Sequence, residues 1–307
     1  MNQIGGFGYA LVATFLFGIY MVPRQYTRIS QRAFLAFMGI GILISASIIG
    51  LAGEGILPIN FLQYILTFAA GLAWSLGALG YAVSVDYLGI SRATPIKNTY
   101  GALSTIFGVV IFHEFTLASP HALTLAVVGS LAIVISASLL GRIEATRSMT
   151  CQPADRRCIM IGVLFAVVSA VGYGVRSIPT KIVLSQGVSA ETFIFYMAHG
   201  AFVGNLIATK VFPKVDRAHP AIRDCLLAIL SGVTWTAAAE FLNLAVIAVG
   251  ISVAFPLANL STLVAVAYGL VILRDIDFRT HKASFWSGLV ISVLGAALLA
   301  GALNLRT

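Results

Sequence analysis

Charge is what this chain has least of. Across 307 residues there are 11 Asp and Glu and 19 Lys and Arg, so that 10% of residues are charged while 59% are hydrophobic. An ordinary soluble domain has roughly 25% and 45–50%. A water-soluble globule of this length has no interior large enough to hide so much apolar surface, and that class is excluded. Paired catalytic carboxylates, phosphate-cradling glycine loops and nucleophile elbows are missing at their diagnostic spacings, which leaves no enzyme reading. Cysteine is scarce too. Cys151, Cys158 and Cys225 show neither metal-type nor redox spacing and are expected to be unpaired thiols. No other His, Cys, Asp or Glu shows ligand spacing, so neither metal nor cofactor is expected. The formal charge of +8 is scattered through short stretches between apolar runs rather than gathered on one stripe, which argues against nucleic acid. The first apolar run lacks a basic flank and a small-residue cleavage site, so it is expected to remain as a span.

What the chain has in quantity is long apolar runs. Stretches near 20 residues, almost free of charge, match a hydrocarbon core of roughly 30 Å at about 1.5 Å rise per residue. Ten helices are expected, at 4–22, 33–52, 61–84, 93–112, 121–141, 158–178, 191–211, 223–247, 253–273 and 284–303. The loops after the odd-numbered ones hold or adjoin Arg24, Arg28, Arg32, Arg92, Arg142, Arg147, Arg156, Arg157, Lys210, Lys214, Arg217, Arg223, Arg274, Arg279 and Lys282. The other side has little beyond Lys181 and Arg306. By the positive-inside rule both termini are expected outside, in a multi-pass protein of the inner (plasma) membrane. The cysteines then lie near the cytoplasmic face, in keeping with reduced thiols.

Two passages repeat one another. Gly89-Ile90-Ser91-Arg92-Ala93-Thr94-Pro95-Ile96-Lys97-Asn98 and Gly250-Ile251-Ser252-Val253-Ala254-Phe255-Pro256-Leu257-Ala258-Asn259 stand at a constant offset of 161 residues. Each is a Gly-Ile-Ser turn leading into an apolar helix with proline in its first turn, where a missing N–H costs least. At the same offset Gly71 and Trp74 meet Gly232 and Trp235, Gly108 meets Gly269, and Glu114 meets Asp275. With short insertions, Phe17-Gly18 and Pro23 parallel Tyr173-Gly174 and Pro179, while Phe34, Phe37 and Met38 parallel Phe193, Tyr196 and Met197. The chain therefore reads as a duplication. Residues 1–141 form a first five-helix repeat, 142–157 a cytoplasmic linker and 158–307 a second five-helix repeat. Five is odd, so the second copy must enter the membrane from the opposite side. The expected fold is an all-α membrane protein, ten transmembrane helices as two inverted five-helix repeats, a plan suited to alternating access about a midplane site.

An ionisable side chain within the bilayer costs roughly 2.5–3.5 kcal/mol on insertion scales, so each one asks for a reason. Glu240 lies well inside the eighth helix with Thr236 and Asn243 on its face. The first copy has Ser75, Leu79 and Ala82 there, and no carboxylate. Glu240 is either a proton-coupling group or a protonated carboxyl bonded to a neighbouring helix. His199, one turn after Tyr196, is its candidate partner or a neutral imidazole bonded to a backbone carbonyl. Lys97 either snorkels to cytoplasmic water or meets a solute. Arg176, three residues before Pro179, is an interfacial anchor or a substrate contact. Asn98 and Asn259 carry amides fit for solute hydroxyls or for bonds between helices. Trp74 and Trp235, away from the interfacial belt, stack on sugar C–H faces or fill the core. The candidate substrate-binding residues are Trp74, Lys97, Asn98, Trp235, Asn243 and Asn259. Gly101, Ser104 and Gly108, on the face of Lys97, read as a packing surface.

Gly89 to Ile96, the run Gly108-Val109-Val110-Ile111-Phe112-His113-Glu114 and the duplicated ten-helix plan resemble the drug/metabolite transporter superfamily. Within it the chain is most similar to the glucose/ribose porter family of bacterial sugar uptake proteins, with rhamnose–proton symporters as more distant relatives. The likeness spans essentially the whole chain and is sharpest over residues 89–114. It implies a secondary active transporter importing a small polar solute, first of all a monosaccharide, by proton symport through alternating access. An exporter of amino acids or other small metabolites on the same fold stays open, as does a non-transporting membrane scaffold or lipid scramblase. The chain departs from the family pattern at Phe17-Gly18, where a tryptophan-glycine pair is common. It departs again at Lys97 and Asn98, where the sugar porters carry small hydroxyl residues; a cationic Lys97 facing a cavity would suit an acidic sugar or another anion. The expected partners are the solute, a coupling proton, membrane lipids and, in a homodimer, a second copy of the chain, with no cofactor and no nucleic acid.

Overall fold

A computed structural model describes residues 3–53, 55–88, 90–114, 120–141, 156–211, 221–268, 272 and 278–305. Regular structure among them is helical throughout: α1 (Gln3–Ile19), α2 (Val22–Gln25), α3 (Gln31–Ala52), α4 (Phe61–Leu88), α5 (Ile90–Lys97), α6 (Tyr100–Val110), α7 (Pro120–Gly141), α8 (Arg156–Ser185), α9 (Ala190–Val211), α10 (Ile222–Val249), α11 (Ile251–Ala258), α12 (Ser261–Tyr268) and α13 (Phe278–Asn304). Among the described residues nine helical segments are long and apolar enough to cross a membrane; Tyr100–Val110 is apolar but shorter. Outer faces carry exposed Phe15, Ile48, Leu206 and Val293. Such side chains match lipid as solvent, while helices satisfy their own backbone groups.

The expected fourth and ninth helices are each broken. α5 gives way to α6 at Asn98 and Thr99, and α11 to α12 at Asn259 and Leu260. At both places the backbone tightens to three-residue bonds, Thr99 N–H to Ile96 O at 3.2 Å and Leu260 N–H to Leu257 O at 3.0 Å, which stop an α-helix. Proline prepares the second break. Pro256 offers no N–H to the Ser252 carbonyl, and the Thr105 hydroxyl donates there instead at 3.2 Å. Leu257 O, near the end of α11, receives the Thr14 hydroxyl at 2.9 Å.

The helices of the two copies interlock. α4 packs chiefly on α8 and α9, α10 on α1 and α3, α6 on α11, and α7 on α13. Glycine sets the closest crossings. A Cβ on Gly71 would strike the Met197 carbonyl of α9, and one on its repeat counterpart Gly232 would strike the Met38 carbonyl of α3. Backbones approach that closely only where side chains are absent. The small face of α6 lies on α11, with Gly101 against Asn259 and Pro256 and Gly108 against Ser252.

The expected linker, 142–157, lies outside the described residues apart from Arg156 and Arg157 at the start of α8, as do Gly89, Gly269 and Asp275 of the repeat. One expectation fails at a sulfur. Cys225 is a free thiol, but Cys158 is disulfide-bonded.

Candidate functional site

Five helices and two of the short segments converge on a cavity with about 310 Å³ of unfilled space, part of it open to solvent. Phe17 of α1, Tyr20 just beyond it, Trp74 of α4, Lys97 of α5, Tyr100 of α6, Tyr173 and Arg176 of α8, Trp235 and Leu242 of α10, and Phe255 of α11 line it. Sequence counterparts from the two copies face the same space. Phe17 matches Tyr173, and Trp74 meets Trp235 with ring centroids 4.2 Å apart and planes at 44°. Tyr100 stands edge-on to Tyr173 at 5.7 Å and to Phe255 at 6.0 Å. The wall is thus mostly aromatic, a surface whose faces accept C–H groups and cations.

Two cations interrupt that wall, and no lining residue is acidic. Lys97 is buried, with Nζ 4.8 Å from the Tyr81 ring centre and 5.7 Å from those of Tyr100 and Tyr173. Arg176 is buried as well. Its guanidinium carbon stands 5.3 Å from the Trp235 ring centre, and Nε and Nη2 have no hydrogen-bond partner among the described residues. Trp74 Nε1 likewise donates to nothing. Donors left unmet at such a place are free for a ligand's oxygens.

Beside Lys97 the two helix breaks meet. Asn98 Nδ2 donates to Asn259 O at 3.2 Å, and Asn259 Nδ2 donates to Asn98 O. Asn98 Nδ2 also contacts Thr262 Oγ1. Each amide is therefore a second donor to a carbonyl at the other break, beside the Gly101 N–H on Asn98 O at 3.2 Å and the Thr262 N–H on Asn259 O at 3.0 Å. Both Oδ1 atoms stay without a protein partner.

Charged clusters mark the two ends of the α5–α6 pair. Before it, Asp86 meets Arg24 at 3.4 Å and Gln31, while Arg24 also donates to Ile29 O at 2.9 Å. After it, Glu114 accepts from Lys181 at 2.9 Å and from the backbone N–H groups of Ile251 and Ser252 at 3.1 and 2.9 Å. A carboxylate on the opening turn of α11 meets the positive end of that helix. Burial acts to raise the pKa of Glu114, but the Lys181 ammonium and the Ser252 groups outweigh it and hold the carboxyl below its ordinary value.

Of the candidate residues, Trp74, Trp235 and Lys97 line the cavity, and Asn98 and Asn259 lie next to it at the breaks. Asn243 is fully buried with both amide atoms unpartnered, yet does not line the cavity. Glu240 is also off the lining, and neither carboxyl oxygen has a hydrogen-bond partner among the described residues. Thr236 does not reach it, since its hydroxyl bonds the Gly232 carbonyl at 2.9 Å. His199 has Nδ1 at 3.0 Å from Phe195 O and its ring edge-on to Phe195. Tyr20, Tyr100 and Tyr173 were not singled out as candidates. Arg176 sits in the wall rather than at an interface, and its i, i+3 spacing from Tyr173, the counterpart of Phe17, was the signal that pointed inward. No group of three or more His, Cys, Asp or Glu among the described residues is placed to hold a metal.

Comparison with known proteins agrees on one class. The family model described as Sugar transport protein matches residues 54–302. The glucose uptake protein GlcU of Bacillus subtilis (strain 168) is 27% identical over 264 residues, covering 85% of this chain and 85% of its own. A Bacillus anthracis protein named "Probable glucose uptake protein GlcU" is 26% identical over 233 residues, 75% of this chain and 76% of its own. A solved crystal structure superimposes with a TM-score of 0.66 over 100% of this chain and 97% of its own at 15% identity, a likeness of fold.

Proposed function

Because this chain belongs to the sugar transport protein family, we propose that it imports a monosaccharide across the plasma membrane by alternating access, driven by proton symport. The single observation that carries this is the aromatic cavity where repeat-matched residues of the two copies meet, Trp74 against Trp235 with Asn98 and Asn259 beside them. Aromatic faces take the C–H side of a pyranose, and the free donors of Arg176 and Trp74 take its oxygens.

Residues 1–141 and 158–307 act as two inverted five-helix repeats, joined by a cytoplasmic linker at 142–157, with both termini outside. Matched helix breaks and reciprocal packing of α4 and α10 support this arrangement. Inverted repeats place the solute at their interface and expose it by rocking one against the other. The Asp86 and Glu114 clusters, at opposite ends of α5–α6, are then the contacts that open and close in turn.

The test is counterflow in liposomes holding the purified full-length chain, with labelled neutral and acidic monosaccharides. At least one should exchange faster than in protein-free liposomes and accumulate when an inward proton gradient is imposed. If none exchanges, the transport reading falls; exchange without gradient-driven accumulation removes only the symport.

A further inference from the structure

We infer that the ligand of this cavity is an anionic monosaccharide, one whose ring carries an oxyanion, carboxylate or phosphate. The inference rests on the transport reading and narrows its substrate class. Its basis is the charge of the wall. Lys97 and Arg176 face one space, both are buried, and none of the lining residues is acidic. A guanidinium stays protonated throughout the working pH range.

Among the described residues no carboxylate lines the cavity to neutralise them. Asp86 is engaged by Arg24 and Glu114 by Lys181, while Glu240 lies off the lining. What surrounds the two cations is π-electron density, Trp235 beneath Arg176 and Tyr81, Tyr100 and Tyr173 around Lys97. Ring quadrupoles make a buried cation tolerable without cancelling its charge. The charge of Arg176 is left for the ligand to pair, since charges held away from water are ordinarily paired. Arg176 has the means to take one, because Nε and Nη2 are both unpartnered. Two donors on one planar fork match a pair of carboxylate or phosphate oxygens. The aromatic faces meanwhile fit the sugar ring, and a bare inorganic anion makes no use of them.

The experiment measures competition in counterflow by the full-length chain in liposomes, using D-glucose, D-glucuronate, D-glucose 6-phosphate and inorganic phosphate. D-glucuronate or D-glucose 6-phosphate should compete at concentrations at least about tenfold below D-glucose, and whichever wins identifies the oxyanion. In R176Q and, independently, K97Q, that preference should shrink to within about twofold, and R176K should keep part of it. D-glucose competing as well as both acidic sugars overturns the inference yet leaves sugar transport standing. Inorganic phosphate competing as well as the acidic sugars overturns it too. If no sugar competes or exchanges, the transport reading has failed first.

Discussion

Asn98 and Asn259 hold one another through their backbones, each side-chain amide donating to the other residue's carbonyl across 161 residues of sequence. The bond pair sits where both helices break, so it joins the two copies at their most irregular backbone. Asn259→Ala removes one of two donors to the Asn98 carbonyl, which keeps the Gly101 N–H, a loss of about 0.5–1.5 kcal/mol. Thermal unfolding in detergent should show that loss, and Asn98→Ala should cost a similar amount. The double variant should be less destabilised than the sum, by about 0.5–3 kcal/mol of coupling. Strict additivity would mean that the two amides act independently.

Trp74 and Trp235 close the cavity from opposite copies. Trp235→Ala takes away both a wall and the ring beneath Arg176, so half-saturation for the transported sugar should rise about tenfold, equivalent to about 1.4 kcal/mol. Trp74→Ala should do the same. Unchanged half-saturation in both folded variants would move the sugar elsewhere.

Glu114 ties α11 and Lys181 to the end of the α5–α6 pair. Its carboxyl is held below the ordinary value, so its share of stability is present above the unfolded pKa and drains away as pH falls through the folded one. Melting temperatures from about pH 7 down to about pH 3 should show wild type losing its advantage over Glu114→Gln in the acid part of the range. A constant gap at every pH would mean that the charge contributes nothing.

Much of this site was legible because one offset carries meaning. An interval of 161 residues links Trp74 to Trp235 and Asn98 to Asn259, and both pairs touch in the fold. The breaks beside the asparagines were not legible. Asn is tolerated inside an apolar helix, and the pairing of each amide with a carbonyl across the fold is not visible in either segment alone. Arg176 stayed ambiguous for a related reason: a cation near the end of a span is an anchor or a ligand group according to which face it takes. That is fixed by the packing of α8 on α4, where Gly172 lies against the Gly77 backbone. The disulfide at Cys158 left no trace in spacing.

The proposed orientation, with both termini outside, rests on the arginine and lysine bias and is open to a direct test. In a variant with Cys151, Cys158 and Cys225 replaced by serine, a cysteine at Asn2 should react with an impermeant thiol reagent on intact cells, and one at Ser148 only after permeabilisation. The opposite pattern would invert the whole arrangement.

Glu240 is the group to which we assign proton coupling. It lies within α10, away from either end, and both carboxyl oxygens are buried without a protein hydrogen bond. Fully committed carboxyls such as Glu114 cannot exchange a proton without breaking structure; Glu240 has nothing to break. It also shares its helix with Trp235 and Leu242, which line the cavity, so that any movement of α10 would carry the carboxyl and the cavity wall together. Glu240→Gln keeps the shape and removes the titration. Accumulation of sugar driven by an imposed pH gradient should vanish in that variant, while counterflow at equal pH continues, because exchange requires no net proton movement. His199→Gln, whose ring is already bonded to the Phe195 carbonyl, should leave the gradient response within about twofold of wild type if it is structural. Should Glu240→Gln still concentrate sugar against its gradient while His199→Gln does not, the proton travels by the histidine and the carboxyl is structural.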